Sequence, residues 1–128
     1  MALLEIHWNA NHALNRMTTF TAITPNKGKG PFPVLYLLHG LSDDHTAWTR
    51  KTILERMLED IPLIVIMPNG GRGWYTDSKT IPADAYETFI IRDLISYVDN
   101  VFNTIPQSNK RIIAGLSMGG YGAFKLGM

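Results

Sequence analysis

Three short apolar runs, Val34 to Leu38, Leu63 to Met67 and Ile112 to Ala114, constrain the fold of this chain more than any other feature. They are apolar at successive positions rather than at alternate ones, so strands built from them bury both faces, as strands of a helix-covered parallel sheet do. Helical patterns lie between them. Leu54, Met57, Leu58 and Ile61 share one face, and Thr52 with Glu55 has the spacing of a capping box at its start. Asp84 with Glu87 offers the same spacing ahead of Ile90, Leu94, Val98 and Val101, which recur at steps of three and four and make one apolar stripe. Strand, helix, strand, helix, strand is a doubly wound α/β order. Ahead of it, Ala2 to Trp8 and Leu14 to Thr24 read as two early strands joined by a turn at Asn9-Ala-Asn-His, and Pro25 to Pro31 reads as a surface loop.

Charge and composition remove several classes of function. Twelve basic and eleven acidic side chains, with no basic run, leave no footprint for nucleic acid or an anionic membrane surface. The absence of cysteine rules out a disulfide framework and a thiolate metal site. Met1 to Trp8 has no basic segment followed by an apolar stretch, so it does not read as a secretory signal, and the default expectation is a cytoplasmic location. No apolar run approaches the roughly 20 residues of a membrane span. No internal repeat or low-complexity segment divides the 128 residues, which read as one domain or part of one.

In such sheets the working groups stand at the carboxyl ends of the strands. The third run leads into Gly115-Leu-Ser117-Met-Gly119, a G-x-S-x-G sequence, and Gly120-Tyr-Gly-Ala-Phe-Lys-Leu then opens a helix. This is the strand-turn-helix context of a nucleophile elbow. Gly115 and Gly119 remove side chains that would collide at so tight a turn, and the new helix aims its free amides at the place where negative charge develops. The bland reading is a glycine-rich turn used only for packing. Two phosphate-loop readings fail on single residues: Tyr121 stands where Walker A spacing needs lysine, and Lys125 where a dinucleotide fingerprint needs its last glycine.

The first parallel strand ends in His39-Gly40-Leu41. A His-Gly pair there lets the chain turn back toward the elbow, so that the amide of Leu41 joins that of Met118 as an oxyanion hole, each donor being worth roughly 3 kcal/mol in a transition state. His39 itself reads as a structural, hydrogen-bonded histidine more readily than as a general base. His7, His12 and His45 read as ordinary surface or turn residues. The loop from Met67 to Asp77, rich in glycine and aromatics, suits equally a pocket wall and a crossover with buried aromatics. Asp77 precedes Ser117, whereas triads of this type run serine, acid, histidine, so Asp77 is not cast as the triad acid.

Four stretches together resemble the tributyrin-esterase branch of the esterase-D-type α/β-hydrolases: Leu37 to Trp48, Met67 to Arg72, Trp74 to Asp77, and Ile113 to Ala123. The family includes S-formylglutathione hydrolases, feruloyl and acetylxylan esterases, and mycolyltransferases. The resemblance implies an α/β-hydrolase fold and a carboxylesterase of short acyl esters. It implies Ser117 as nucleophile, the amides of Leu41 and Met118 as oxyanion hole, His39, Gly40, Gly115 and Gly119 as supports of the motif, and no cofactor or metal. It further implies a triad acid and histidine well beyond the elbow, whereas Met128 is eleven residues past Ser117. The expectation is therefore a partial α/β-hydrolase domain over residues 1–128, an N-terminal portion without the later strands. Its own activity should be weak, because a serine without a base keeps its proton. The expected partners are a small ester and no nucleic acid or membrane, with self-association or pairing with a C-terminal portion at the open sheet. A thioesterase of the S-formylglutathione hydrolase type and a catalytically silent interaction module are the alternatives.

Overall fold

In the computed structural model, which describes residues 1–128, the three apolar runs form β3 (Val34–Leu38), β4 (Ile64–Pro68) and β5 (Arg111–Gly115), preceded by β1 (Ala2–Ala10) and β2 (Arg16–Thr24). They make one five-stranded sheet in the order β1-β2-β4-β3-β5. β1 and β2 are an antiparallel hairpin in register from Ala2 opposite Thr24 to Ala10 opposite Arg16, and β2 lies antiparallel to β4. β3 is parallel to both β4 and β5. The chain leaves β3 to one side to make β4, then crosses to the other side to make β5. The strand order therefore reverses between β3 and β5, and the crevice at their carboxyl ends is where open α/β sheets place their ligands.

Alternation along the buried strands divides the core in two. Phe20, Ala22, Val34, Tyr36, Leu38, Ile64 and Ile66 face one side, against Phe89, Ile90, Leu94, Val98 and Met118. Ile23, Leu37, Val65 and Met67 face the other, against Leu58, with Trp48 and Leu54 packed on them. β3 and β4 are covered on both faces, the environment that continuous apolar runs require.

The helices depart from the sequence expectation in two places. The Leu54 face forms only a four-residue helix, α2 (Leu54–Met57), after an unforeseen α1 (Ala47–Lys51). Leu58 is buried, but Met57 is 64 % and Ile61 46 % exposed. The reason is local: Pro62 withholds a backbone donor and biases Ile61 away from helical geometry, and Thr52 Oγ1 accepts the Leu54 amide as a turn instead of serving a capping box. Farther on, α3 (Tyr86–Thr88) continues through a π-helical segment, Phe89–Leu94, into α4 (Ile95–Val101). Ile90, Leu94 and Val98 are buried as the stripe implies, whereas Val101 is 53 % exposed at the helix end. Asp84 and Glu87 do not cap this helix: Asp84 pairs with Arg16 and Glu87 with Lys125. The carboxylate that holds its first turns is Asp77, eleven residues upstream, which accepts the amide and the hydroxyl of Thr88 at 2.9 and 2.5 Å. After β5 comes α5 (Met118–Gly127). β5 is an edge of the sheet, and Ile112 on it is half exposed. No helix is long and apolar enough to cross a membrane.

Candidate active site

The turn between β5 and α5 is pressed against the end of β3. A Cβ on Gly115 would lie 2.3 Å from the Gly119 carbonyl group, and one on Gly119 would lie 2.3 Å from the Leu38 carbonyl oxygen. No side chain fits at either position. Between them Ser117 takes φ +57° and ψ −116°, a sparsely populated conformation for a residue with a Cβ, held only because its surroundings over-determine it. The turn lifts the Ser117 side chain to the surface while Met118 behind it is fully buried. Met118 is the first residue of α5, so its N–H has no intrahelical acceptor.

The loop after β3 meets this turn from the other side. A Cβ on Gly40 would stand 3.7 Å from Ser117 Cβ and 3.5 Å from the Leu116 carbonyl oxygen. The amide of Leu41 donates to no backbone acceptor. Two free amides thus come from the two strands that flank the switch point, an arrangement able to receive an oxyanion.

His39 is 1 % exposed, and both its ring nitrogens are engaged. Nε2 accepts the Gly70 amide at 2.9 Å, which places the ring proton on Nδ1, where it donates to the Gly40 carbonyl at 2.6 Å. A histidine so committed is a brace and has no free nitrogen to take a proton from serine. None of the other histidines bonds to Ser117 either: His7 meets Thr19 and Glu5, His45 lies by Glu5, and His12 is exposed. Asp77 is occupied by Thr88. Partial burial raises its carboxyl, but the Thr88 hydroxyl and amide, with the Lys125 ammonium and the Glu87 amide, hold it below the usual range.

A cavity of about 280 Å³ opens beside Ser117, walled by Leu41, Ala47, Trp48 and Leu116. The Trp48 indole is fixed by its Nε1–H, which donates to the Leu38 carbonyl at 3.2 Å. Asp43 and Lys51 stand at the rim of this cavity, paired at 2.5 Å, and Arg50 also pairs with Asp43. The Lys51 ammonium, beside it, holds the Asp43 carboxyl below its ordinary range. A larger hollow of about 550 Å³, lined by Trp8, His12, Arg92 and Asp93 among others, is built by the β1–β2 hairpin and the helix facing it, away from the elbow. No group of three or more His, Asp and Glu side chains gathers where it could hold a metal ion.

The loop after β4 proves to be a crossover with a buried aromatic. Tyr75 is fully buried, Trp74 packs edge-on against Tyr121, and neither lines the cavity beside Ser117. Sequence reasoning passed over Tyr75, Trp48 and Lys51. The signal for Tyr75 lay in glycines far apart in sequence, Gly70 and Gly122, whose missing side chains make room for its ring.

The model of the family described as "Putative esterase" matches residues 11–128. An esterase of Mycobacterium tuberculosis is 37 % identical over 98 residues, covering 73 % of this chain and 22 % of that protein. An acetyl esterase of Caldicellulosiruptor saccharolyticus is 28 % identical across the whole chain, which covers 51 % of it. Among solved structures, the substrate-bound fluorophosphonate-binding serine hydrolase F of Staphylococcus aureus superimposes with a TM-score of 0.86 at 30 % identity, over 97 % of this chain and 50 % of that one. An S-formylglutathione hydrolase of the same organism gives 0.82 at 30 % identity and the same coverage. This chain spans about half the length of these solved relatives and less than a quarter of the M. tuberculosis protein.

Proposed function

Since the chain belongs to the esterase family, with the α/β-hydrolase fold of its solved relatives, we propose that it carries the nucleophile and oxyanion hole of a serine carboxylesterase acting on short-chain acyl esters. The observation that carries this reading is Ser117, strained at φ +57° on a turn where neither flanking glycine tolerates a side chain. Ser117 Oγ attacks the ester carbonyl carbon, and the amides of Leu41 and Met118 receive the charge that moves onto the carbonyl oxygen. Collapse expels the alcohol with a proton and leaves an acyl-serine, which water then hydrolyses to the acid and free serine. A wall of Leu41, Ala47, Trp48 and Leu116 around about 280 Å³ suits a short acyl or alcohol arm. None of the four histidines of these 128 residues bonds to Ser117, so the hydroxyl's proton acceptor is not among them and the chain by itself should turn over slowly.

Fluorophosphonate labelling tests the assignment, because Ser117 Oγ–P bond formation expels fluoride and needs only solvent to take the proton. The expected result is an adduct on the Ser117 peptide, formed orders of magnitude more slowly than on a complete serine hydrolase and absent from Ser117→Ala. An adduct that survives Ser117→Ala would discard the reading. A thioesterase reading is favoured by the S-formylglutathione hydrolase among the solved relatives at 30 % identity. Thioester turnover above ester turnover in a complete version would select it.

A further inference from the structure

Tyr75 is fully buried yet takes φ +56°, directly after Trp74 at φ +54°, two successive aromatic residues in the left-handed region that disfavours them. Its ring occupies a slot cut by two glycines of other segments: a Cβ on Gly70 would lie 2.4 Å from it, and one on Gly122 2.6 Å. Packing alone would be served by phenylalanine, without the cost of burying a hydroxyl. The hydroxyl donates to the carbonyl of His39 at 3.0 Å, and the Tyr75 ring stands edge-on to the His39 ring at 6.0 Å. His39 in turn donates from Nδ1 to the carbonyl of Gly40. That carbonyl shares its peptide plane with the N–H of Leu41, and in a trans peptide the two point in opposite directions. Holding the Gly40 carbonyl on the His39 side therefore sets the direction of the Leu41 amide.

We propose that Tyr75 is a positioning residue, which through His39 fixes the Leu41 amide for the oxyanion beside Ser117. The two strained residues and the two cleared glycines are what brings a phenol from the loop after β4 to the loop after β3. The kinetic consequence rests on the esterase reading; the structural one does not.

The test compares wild type with Tyr75→Phe and with 3-fluorotyrosine at position 75, all as the 128-residue chain, with folding checked by circular dichroism. The first measurement is fluorophosphonate labelling of Ser117 as a function of reagent concentration. Tyr75→Phe should lower the maximal labelling rate tenfold or more at an unchanged half-saturating concentration, because the donor acts on developing charge and not on ground-state binding. The second is hydrogen exchange at the Gly70 amide, which His39 Nε2 protects; exchange should quicken tenfold or more in Tyr75→Phe. The fluorinated phenol keeps ring and donor and should hold both quantities within twofold of wild type. Wild-type labelling and wild-type Gly70 protection in Tyr75→Phe would reduce Tyr75 to packing and overturn the proposal. Labelling that persists in Ser117→Ala would instead remove the esterase reading and leave the exchange measurement to decide on Tyr75. Should Tyr75→Phe not fold, faster Gly70 exchange in the fluorotyrosine protein overturns the proposal as well.

Discussion

The two adjacent glycines after Ser117 illustrate how differently neighbouring residues are constrained. Gly119 lies against the backbone of β3, with Leu38 and His39 carbonyl oxygens 2.3 and 2.8 Å from where a Cβ would be, and neither can step aside without moving the sheet. Gly120, one position on, would place its Cβ no closer than 3.5 Å to the Gly115 carbonyl oxygen, ordinary contact. Gly119→Ala should therefore destabilise by about 3 kcal/mol through overpacking, while Gly120→Ala should cost nothing and gain up to about 1 kcal/mol of helix propensity. Urea unfolding of the two variants measures this. Equal midpoints for both would show that the elbow is looser than the geometry states. Gly115, 2.3 Å from the Gly119 carbonyl group, should behave like Gly119.

At the scale of elements, the long crossover after β4 is tied down by polar contacts rather than by its own secondary structure. Asp77 holds the helix that starts at Tyr86, and Lys125 on α5 bonds both Thr76 and Glu87, so loop, crossover helix and elbow helix meet at one place. Burial raises the Asp77 carboxyl, but the Thr88 hydroxyl and amide, the Lys125 ammonium and the Glu87 amide together hold it below its unfolded value. A carboxyl depressed in the folded state stabilises above its unfolded pKa of about 4 and loses that contribution as pH falls through the folded value. Thermal melts of wild type and Asp77→Asn should therefore differ most near pH 7 and converge below about pH 4. Asp43 and Asp44 are depressed as well, so only the difference between the two proteins isolates Asp77. A gap that stays constant down to pH 2 would mean that the carboxylate's charge plays no part in the contact.

For the molecule as a whole, coverage of the sheet is uneven. β3 and β4 are sealed between two layers, but β5 is an edge with Ile112 52 % exposed, and Leu116 and Phe124 beside it are 66 % and 78 % exposed. An apolar strand with unpaired amides is a template for another chain. In solution the 128-residue chain should self-associate and bind hydrophobic dye, and Ile112→Lys should shift it toward monomer, as size-exclusion chromatography with light scattering would record. A clean monomer that melts sharply would show that β5 is not a pairing edge.

How much of this was legible in the residues depended on the range of the interaction that fixes each feature. Val34 to Leu38 becomes β3 at the very boundaries its composition marks, and Gly115-Leu-Ser-Met-Gly119 becomes the turn it spells, because a doubly buried strand and a tight turn leave few residue types to choose from. The family could be recognised for the same reason: its motifs are local strings. Capping was misplaced, since Asp84 and Glu87 have the right spacing but were claimed by Arg16 and Lys125 from distant segments, and Asp77 took their place. The helix at Leu54 stops at Met57 instead of running to Ile61, because Thr52 and Pro62 act locally against the periodic pattern. For Tyr75 the residues left two readings of its loop open, one of them a buried aromatic, and its slot and its partner could not be read from them. Its burial, its strained backbone and its bond to His39 depend on space left by Gly70 and Gly122, 52 residues apart in the chain, and only the closed sheet brings those vacancies to one point.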